Sequence, residues 1–281
     1  MTLQPKTLLD GLCFPEGPRW HGDRLWFSDM NDQRVMTVDM SGHSETIVRV
    51  DANPSGLGWL PDGRLLIVSM RDRRLLRLDP DGLHEVADLS QLASFHCNDM
   101  VVDAQGRAYV GNFGFDLENR ATPAPAELIL VEPDGAARVV ARDLSFPNGA
   151  VITPDGCVLI VGETFGARLT AFDIAADGAL GNRREWAALE GAVPDGICLD
   201  AAGQIWVASP TSGEVLRVRE GGAVTSRVEV ESQAFACMLG GPLGNTLFIC
   251  TADSSDPAAT ARDRRGRIEI VEVDAAHAGL P

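Results

Sequence analysis

A short unit recurs along this chain, and this repeat limits the possible folds more than any other feature of the sequence. The unit opens with a three-residue motif, and a strand-like run, a glycine turn and a second apolar run follow it. Five clear copies begin at Pro15, Pro54, Cys97, Pro147 and Pro194, and a degenerate sixth runs from about Ala236 through Asn245 to Cys250. In four copies the third motif residue stands seven positions before the turn glycine, and the copy at Pro15 is shorter across its hairpin.

Each copy predicts a hairpin of two strands, and a third strand follows it. The predicted third strands are Val35–Asp39, Leu75–Asp79, Leu128–Glu132, Leu169–Asp173, Val215–Val218 and Ile268–Val273. Most units then show a fourth strand, and repeats of 40 to 50 residues with four strands each are typical of β-propellers. We therefore predict an all-β fold: one six-bladed β-propeller domain over residues 1–281, with four-stranded antiparallel blades around a central channel.

The last unit contains only three strands after Ala236. The N-terminal segment Lys6–Leu12 is therefore expected to supply its outer strand and to close the ring. No amphipathic helix of ten or more residues is predicted. A β-sandwich, the main alternative fold, would not explain six copies of one unit.

Composition limits the partners and the location of the protein. The formal net charge is −16, which disfavours nucleic acid and anionic membranes because both attract basic surfaces. No apolar stretch approaches the length of a signal peptide or a membrane span. The six cysteines form no C-x-x-C pair, so we expect free thiols and a cytoplasmic location. No obligate protein partner is predicted, and a small molecule is the expected ligand.

The residue that precedes the first strand of each blade lies near the axis, at one mouth of a propeller channel. These axial positions are predicted to be Glu16, Ser55, Asn98, Asn148, Asp195 and, in the sixth blade, Ala236 or Cys237. Four of them carry carboxylate or amide oxygens that would converge on one point. Two carboxylates and two amides around an axis would stay unsatisfied without a cation. An all-oxygen site suits Ca²⁺, Mg²⁺ or Mn²⁺ better than a structural Zn²⁺.

An alternative explanation of these motifs is a plain turn. Pro-Asp-Gly and Pro-Asn-Gly are good turn sequences whatever they bind, and the chain also uses Pro-Asp-Gly at Asp62, Asp134 and Asp155. Those three turns occupy a different place in the repeat, after the first or the third strand. Glu16 is poorly explained by a turn, because Glu is not a favoured turn residue.

Loops between the second and third strands return to the same mouth and are predicted to line the rest of the pocket. They place Arg71, Phe113 and Glu163 there as substrate-binding candidates, with Asp29, Asn112, Ser209 and Asp253 nearby. His96, two residues before Asn98, is a further substrate-binding candidate. Solvated loop charge is the alternative interpretation of Arg71 and Glu163, and a structural role is the alternative for His96.

Four motifs in this order and at propeller spacing resemble the family of senescence marker protein-30, gluconolactonase and related enzymes. They are Phe14-Pro15-Glu16-Gly17-Pro18, Cys97-Asn98-Asp99 with Asp103 and Gly106, Phe146-Pro147-Asn148-Gly149, and Pro194-Asp195-Gly196. The resemblance implies a six-bladed propeller in which Glu16, Asn148 and Asp195 hold one divalent ion. It also implies that Asn98 helps to hold substrate or water and that Asp195 is the general base.

One departure from the family bears on the substrate. Sugar lactonases of this family often carry an arginine at the position of His96, and the loop Gly111–Asp116 is more apolar than a sugar pocket needs. We therefore expect a metal-dependent lactonase, a hydrolase of cyclic carboxylic esters, that acts on a sugar-acid lactone or on a more apolar one. Ca²⁺ is the expected ion, with Zn²⁺, Mn²⁺, Mg²⁺ and Fe²⁺ as alternatives. The alternative functions are an aryl-esterase or phosphotriesterase at the same site, or a metal-stabilised propeller that binds without turnover.

Overall fold

The computed structural model describes residues 3–281, and it is a six-bladed β-propeller. Each blade is a four-stranded antiparallel sheet, as predicted. The first strand, β1, is Lys6–Leu12. Blade 1 contains β2 Pro15–His21, β3 Arg24–Asp29, β4 Arg34–Val38 and β5 Ser44–Arg49. Blade 2 contains β6 Pro54–Trp59, β7 Leu65–Ser69, β8 Arg74–Asp79 and β9 Gly82–Asp88.

The next three blades repeat this order. Blade 3 contains β10 Cys97–Val102, β11 Ala108–Asn112, β12 Ala126–Val131 and β13 Ala137–Leu144. Blade 4 contains β14 Pro147–Ile152, β15 Val158–Glu163, β16 Arg168–Ile174 and β17 Leu180–Ala188. Blade 5 contains β18 Ile197–Leu199, β19 Ile205–Ser209, β20 Glu214–Val218 and β21 Val224–Glu229.

Blade 6 joins the two ends of the chain. It contains β22 Gln233–Gly240, β23 Thr246–Ala252 and β24 Gly266–Glu272, and β1 pairs antiparallel with β24 as its outer strand. This is the position expected for Lys6–Leu12. A short helix, α1 Pro257–Asp263, interrupts the connection from β23 to β24 and begins at an N-cap, Asp256. In residues 3–281 no helix is both long and apolar enough to cross a membrane.

Apolar side chains fill the spaces between neighbouring blades. Separate buried clusters lie between blades 1 and 2, 2 and 3, 3 and 4, and 4 and 5, and a larger one joins blades 5, 6 and 1. Trp206, Tyr109, Phe27 and Phe248 are among the largest fully buried side chains. Because each blade is covered on both faces, its second strand reads as a nearly continuous apolar run, as in Leu65–Ser69 and Ile205–Ser209.

Two sets of glycines give the repeat its shape. The hairpin glycine of each blade has a positive φ, from 57° at Gly22 to 86° at Gly63, which is the conformation that glycine adopts most readily. The motif glycines have another role, because the inner strands approach each other closely near the axis. A Cβ on Gly149 would lie 2.5 Å from the Ile197 nitrogen, and one on Gly196 would lie 2.4 Å from the Ala236 Cβ.

The C-terminal segment crosses the end of the channel opposite the motif residues. Leu280 exchanges backbone hydrogen bonds with Ile152, the last residue of β14, and Ala278 donates to the carbonyl of Leu199, the last residue of β18. Gly279 fits against this strand end closely, since a Cβ there would lie 2.3 Å from the Ile152 oxygen. The tail therefore ties the sixth blade to the inner strands of blades 4 and 5. The sequence analysis did not predict this contact.

Candidate metal centre

The motif residues meet at one mouth of the channel, where the inner strand of each blade begins. Equivalent backbone hydrogen bonds define their positions: Gly149 donates to the Asp195 carbonyl at 3.2 Å, and Gly196 donates to the Phe235 carbonyl at 2.8 Å. The sixth axial residue is therefore Phe235, and the prediction of Ala236 or Cys237 is wrong by one or two positions. Blade 6 carries no Pro-x-Gly motif, and a bulge between Ala234 and Ala236 shifts the register there.

Glu16 and Asp195 are the two carboxylates of this axial ring; Asp195 is buried and Glu16 is partly buried. Burial raises the pKa of Glu16 to about 8, although its carboxylate accepts a hydrogen bond from the Gly17 backbone at 3.0 Å. Burial first and the charge of Glu16 second raise the pKa of Asp195 well above its usual range. The two groups therefore lie close enough to repel each other when both are ionised.

The axial amides are oriented by the neighbouring blades. The Thr164 hydroxyl donates to the Pro194 carbonyl at 2.7 Å, so its oxygen can only accept from the Asn148 Nδ2, which lies 3.3 Å away. Asn98 donates its Nδ2 to the Pro147 carbonyl at 3.3 Å. In both residues the amide nitrogen is thus held by a protein acceptor. The Oδ1 atom is the one left to bind a cation or a ligand.

A buried ion pair lies next to the axial carboxylates, and sequence reasoning missed it. Arg19, in β2, binds the Asp99 carboxylate at 2.6 Å and also donates to the carbonyls of Pro18, Leu57 and Met100. Arg19 is the cation that acts on Glu16, but its hydrogen bonds are committed to Asp99 and to these carbonyls. The signal was present in the sequence as a charged residue in an inner strand, where an apolar residue is the rule.

The residues present fit a divalent ion. Glu16 and Asp195 offer carboxylate oxygens, Asn148 and Asn98 offer amide oxygens, and hard cations prefer this oxygen set. Burial raises the pKa of both carboxylates, and the charge of Glu16 raises that of Asp195 further, so the pair needs a positive charge to remain ionised together. The ionic partner that they need is not supplied by Arg19, which is bound to Asp99.

The predicted substrate residues occupy different environments. His96 is half-buried at the mouth beside Asn98, with its ring centroid 4.1 Å from that of Phe95 and 6.0 Å from that of Phe113. Burial, and secondly the charge of Arg71, lowers the pKa of His96. Arg71 bridges two loops, because it binds Glu118 and donates to the Asn53 side chain at 3.1 Å. Phe113 is half-buried, and its backbone donates to the His96 carbonyl at 2.9 Å.

Glu163 does not join this group, and we remove it from the predicted substrate contacts. Its buried carboxylate accepts hydrogen bonds from Arg168, Arg183, Thr170 and the Ser145 backbone. Burial alone would raise the pKa of Glu163, but these hydrogen bonds outweigh burial and leave the pKa lowered. The carboxylate is therefore saturated by groups of its own blade.

Asp29 holds the equivalent position in blade 1 and has the same kind of role. It accepts from the backbones of Cys13 and Phe14 at 2.9 and 2.8 Å and pairs with Arg34 at 3.0 Å. Polar side chains at the end of the second strand thus anchor the loop that leads into the inner strand. The arginine five residues after each acid is a sequence signal that would have identified this role.

Known proteins are similar to this chain in sequence and in fold. A pentonolactonase of Haloferax volcanii is 27% identical over 278 residues, which cover 95% of this chain and 92% of that protein. The structure of a gluconolactonase from Xanthomonas campestris is 26% identical, covers 98% of this chain and 89% of its own, and superposes with a TM-score of 0.75. A calcium-binding regucalcin from Agrobacterium tumefaciens is 23% identical and superposes with a TM-score of 0.83, over 100% of this chain and 98% of its own.

The family assignment rests on the greater part of the chain. Residues 14–253, which contain all four motifs and the whole axial ring, match the family described as SMP-30/Gluconolactonase/LRE-like region. The resemblance noted in the sequence is thereby confirmed. The chain belongs to the SMP-30/gluconolactonase/LRE-like family.

Proposed function

We propose that this protein is a metal-dependent lactonase that uses Glu16, Asn148 and Asp195 to hold one divalent ion. The observation that carries the proposal is the pair of axial carboxylates, Glu16 and Asp195, whose pKa values are raised by removal from water at the mouth of the channel. The relatives support the chemistry, since two of them are named as lactonases and a third is described as calcium-binding. The oxygen donor set favours Ca²⁺.

The mechanism that we propose opens a cyclic ester by water attack. When bound, a divalent ion would polarise the lactone carbonyl and supply positive charge where the oxyanion develops. Asp195 accepts a proton from water as the water oxygen bonds to the carbonyl carbon. Cleavage of the ring C–O bond follows, and the proton passes from Asp195 to the departing alkoxide oxygen, which gives a hydroxy acid. The Asn98 amide holds the substrate or the attacking water.

The experiment that tests this proposal is a pH-indicator assay on metal-stripped protein, with Ca²⁺, Mn²⁺, Mg²⁺, Zn²⁺ or Fe²⁺ added back singly. Lactones, aryl esters and phosphotriesters are compared as substrates. We expect metal-dependent acid release that is fastest on lactones. Faster turnover of aryl esters or phosphotriesters would make lactone hydrolysis incidental. If no substrate releases acid while the metal still raises the melting temperature, the site has a binding or structural role and the catalytic proposal is wrong.

A cytoplasmic location is a separate proposal. The Sγ atoms of Cys198 and Cys237 lie 3.9 Å apart as free thiols, and a neighbouring pair of this kind is suited to a reducing compartment. Protein taken from its native cells under alkylating conditions should carry free thiols at both positions. A disulfide between these two cysteines would contradict the proposal.

A further inference from the structure

Four phenylalanines form an aromatic wall at the mouth of the channel. The wall consists of Phe113, Phe115, Phe146 and Phe165, from the loops of blades 3 and 4. The ring centroids of Phe113 and Phe146 lie 4.6 Å apart, those of Phe146 and Phe165 lie 5.2 Å apart, and those of Phe115 and Phe165 lie 5.4 Å apart. Phe165 is 52% exposed and Phe113 is half-buried, so these two rings present the apolar face of the wall, whereas Phe115 and Phe146 are buried.

The aromatic wall is built onto the axial amides. Phe146 stands two residues before Asn148, and the carbonyl of Phe146 accepts from the backbone of Thr164, whose hydroxyl accepts from the Asn148 amide. Phe113 donates its backbone N–H to His96, which stands two residues before Asn98. Hydrogen bonds therefore link the wall directly to the residues that carry the oxygen donors.

A buried apolar cluster continues from the wall around the mouth toward blade 6. Phe14 and Phe235 stack edge to face with centroids 4.7 Å apart, and Met30 and Met70 pack in the same cluster. Phe113 packs against this cluster as well as against the wall. Because Phe235 is itself an axial residue, one of the six positions around the ion site is a benzyl group rather than a polar side chain.

Phe146 adopts a backbone conformation that is unfavourable for a bulky residue, with a φ of 63°. Asn53 holds the equivalent place before the proline of blade 2 and has nearly the same φ, 65°. Asparagine tolerates this left-handed conformation, whereas an aromatic residue there is strained. Besides the ring contacts within the wall, this backbone strain indicates that an aromatic side chain is required at Phe146.

His96 lies beside the wall, with its ring centroid 6.0 Å from that of Phe113. The Nδ1 atom of His96 is buried and has no hydrogen-bond partner among residues 3–281. A single imidazole set between Phe95 and Phe113 can make one hydrogen bond with a ligand, which suits an ester oxygen better than several hydroxyl groups.

We propose that the substrate is a lactone whose ring carries an apolar alkyl or aryl substituent, and that this substituent lies on the aromatic wall. The inference rests on the proposed lactonase function and names its substrate class. Hydroxyl groups held against the wall would lose hydrogen bonds with water and gain none, which disfavours a polyhydroxylated ring. An alkyl chain gains there by the removal of its surface from water.

The first test compares three lactones on the calcium-loaded protein: γ-butyrolactone, γ-decalactone, which adds a hexyl chain to the same ring, and gluconolactone. We expect kcat/KM for γ-decalactone to exceed that for γ-butyrolactone by about tenfold or more, and that for gluconolactone by about a hundredfold. Isothermal calorimetry with the ring-opened products, 4-hydroxydecanoate and gluconate, measures binding independently of turnover.

The second test removes single rings of the wall. Phe165→Ala and Phe113→Ala should each reduce the preference for γ-decalactone over γ-butyrolactone by about fivefold or more, because apolar contact area is lost. Phe165 is exposed, so its truncation leaves the fold intact. Leu243→Ala is the matched control, since Leu243 is 80% exposed and lies in the β22–β23 hairpin at the opposite end of the blade. It should leave the preference unchanged.

The outcomes separate the inference from the function on which it rests. A preference for gluconolactone, or a preference that the two phenylalanine variants do not change, overturns the apolar substrate and leaves the lactonase in place. If no lactone is hydrolysed, the lactonase proposal fails, and the preference for an apolar ligand is then tested by calorimetry with the ring-opened products. Binding of 4-hydroxydecanoate that weakens in Phe165→Ala then supports it, and equal or absent binding of the two products overturns it.

Discussion

Two kinds of buried carboxylate occur in this propeller, and their surroundings set them apart. Glu163 lies at the end of a second strand and is saturated by arginine, hydroxyl and backbone donors, which leave its pKa lowered. Glu16 and Asp195 lie at the axis, and burial raises their pKa values. Removal from water acts to raise the pKa of all three groups, so this effect alone does not identify a functional carboxylate. A buried carboxylate that the protein pairs with arginines has a structural role, whereas one that lacks such a partner is a candidate for metal binding or catalysis.

The largest effect is expected from Asp195→Asn. This substitution keeps the shape of the side chain but removes the proposed base, so kcat on the best lactone should fall by about 10²- to 10⁴-fold. The melting temperature of the metal-free variant should not fall, because the lost carboxylate is one whose charged form burial disfavours. Steady-state kinetics and thermal melts measure the two effects. Turnover close to that of the unmodified protein would end the assignment of Asp195 as base.

A smaller effect is expected from pH on the metal-free protein. The pKa of Glu16 is about 8 in the folded chain and 4.5 for an unperturbed group, so the folded state holds an extra proton between these values. Stability should therefore fall as pH rises from about 4.5 to about 8, by up to about 1.4 kcal/mol for each pH unit. Added Ca²⁺ should remove this slope.

Thermal melts in chelator or in Ca²⁺ at a series of pH values test the prediction for Glu16. Glu16→Gln is the control variant and should reduce the slope in chelator, and the remaining slope comes from Asp195, whose pKa burial also raises. The prediction is wrong if the stability of the metal-free protein rises with pH through this window and the glutamine variant behaves in the same way. Burial would then not raise the pKa of Glu16.

The smallest effect is expected from Glu163→Gln, and its sign with pH is opposite. The lowered pKa of Glu163 contributes stability above its ordinary value of 4.5, and this contribution is lost as pH falls through the folded-state pKa. At neutral pH the variant should lose about 1–3 kcal/mol of unfolding free energy. Its kcat/KM should stay within about twofold. A fall of tenfold in kcat/KM at unchanged stability would return Glu163 to the substrate contacts.

Much of the architecture could be predicted from the sequence, because each copy of the repeat corresponds to one blade of the propeller. The hairpin turns and apolar runs predicted the blades, and the residue before each inner strand predicted the axial places of Glu16, Asn148 and Asp195. The sixth place was misassigned because blade 6 lacks the motif and contains a bulge. A pattern cannot report register where the pattern itself is degenerate.

The remaining differences arise from partners that are distant in sequence. Glu163 was taken as a pocket residue because its loop returns to the mouth, but Arg168 and Arg183 turn its carboxylate into a structural anchor. The Arg19–Asp99 pair joins residues of blades 1 and 3, and the C-terminal tail reaches Ile152. Such contacts depend on three-dimensional closure, which no local periodicity encodes.

The pairing of β1 with β24 has a consequence for how the protein is made. Leu12 pairs with Gly266, so β1 has no partner until synthesis of the chain has passed β24. Contacts between such distant segments form late and slowly. Glu16 belongs to blade 1 and Asp195 to blade 5, and blade 6 lies between them on the short way around the ring. The ion site is therefore completed in the same step that closes the ring, so an unfinished chain has no centre with which to capture metal.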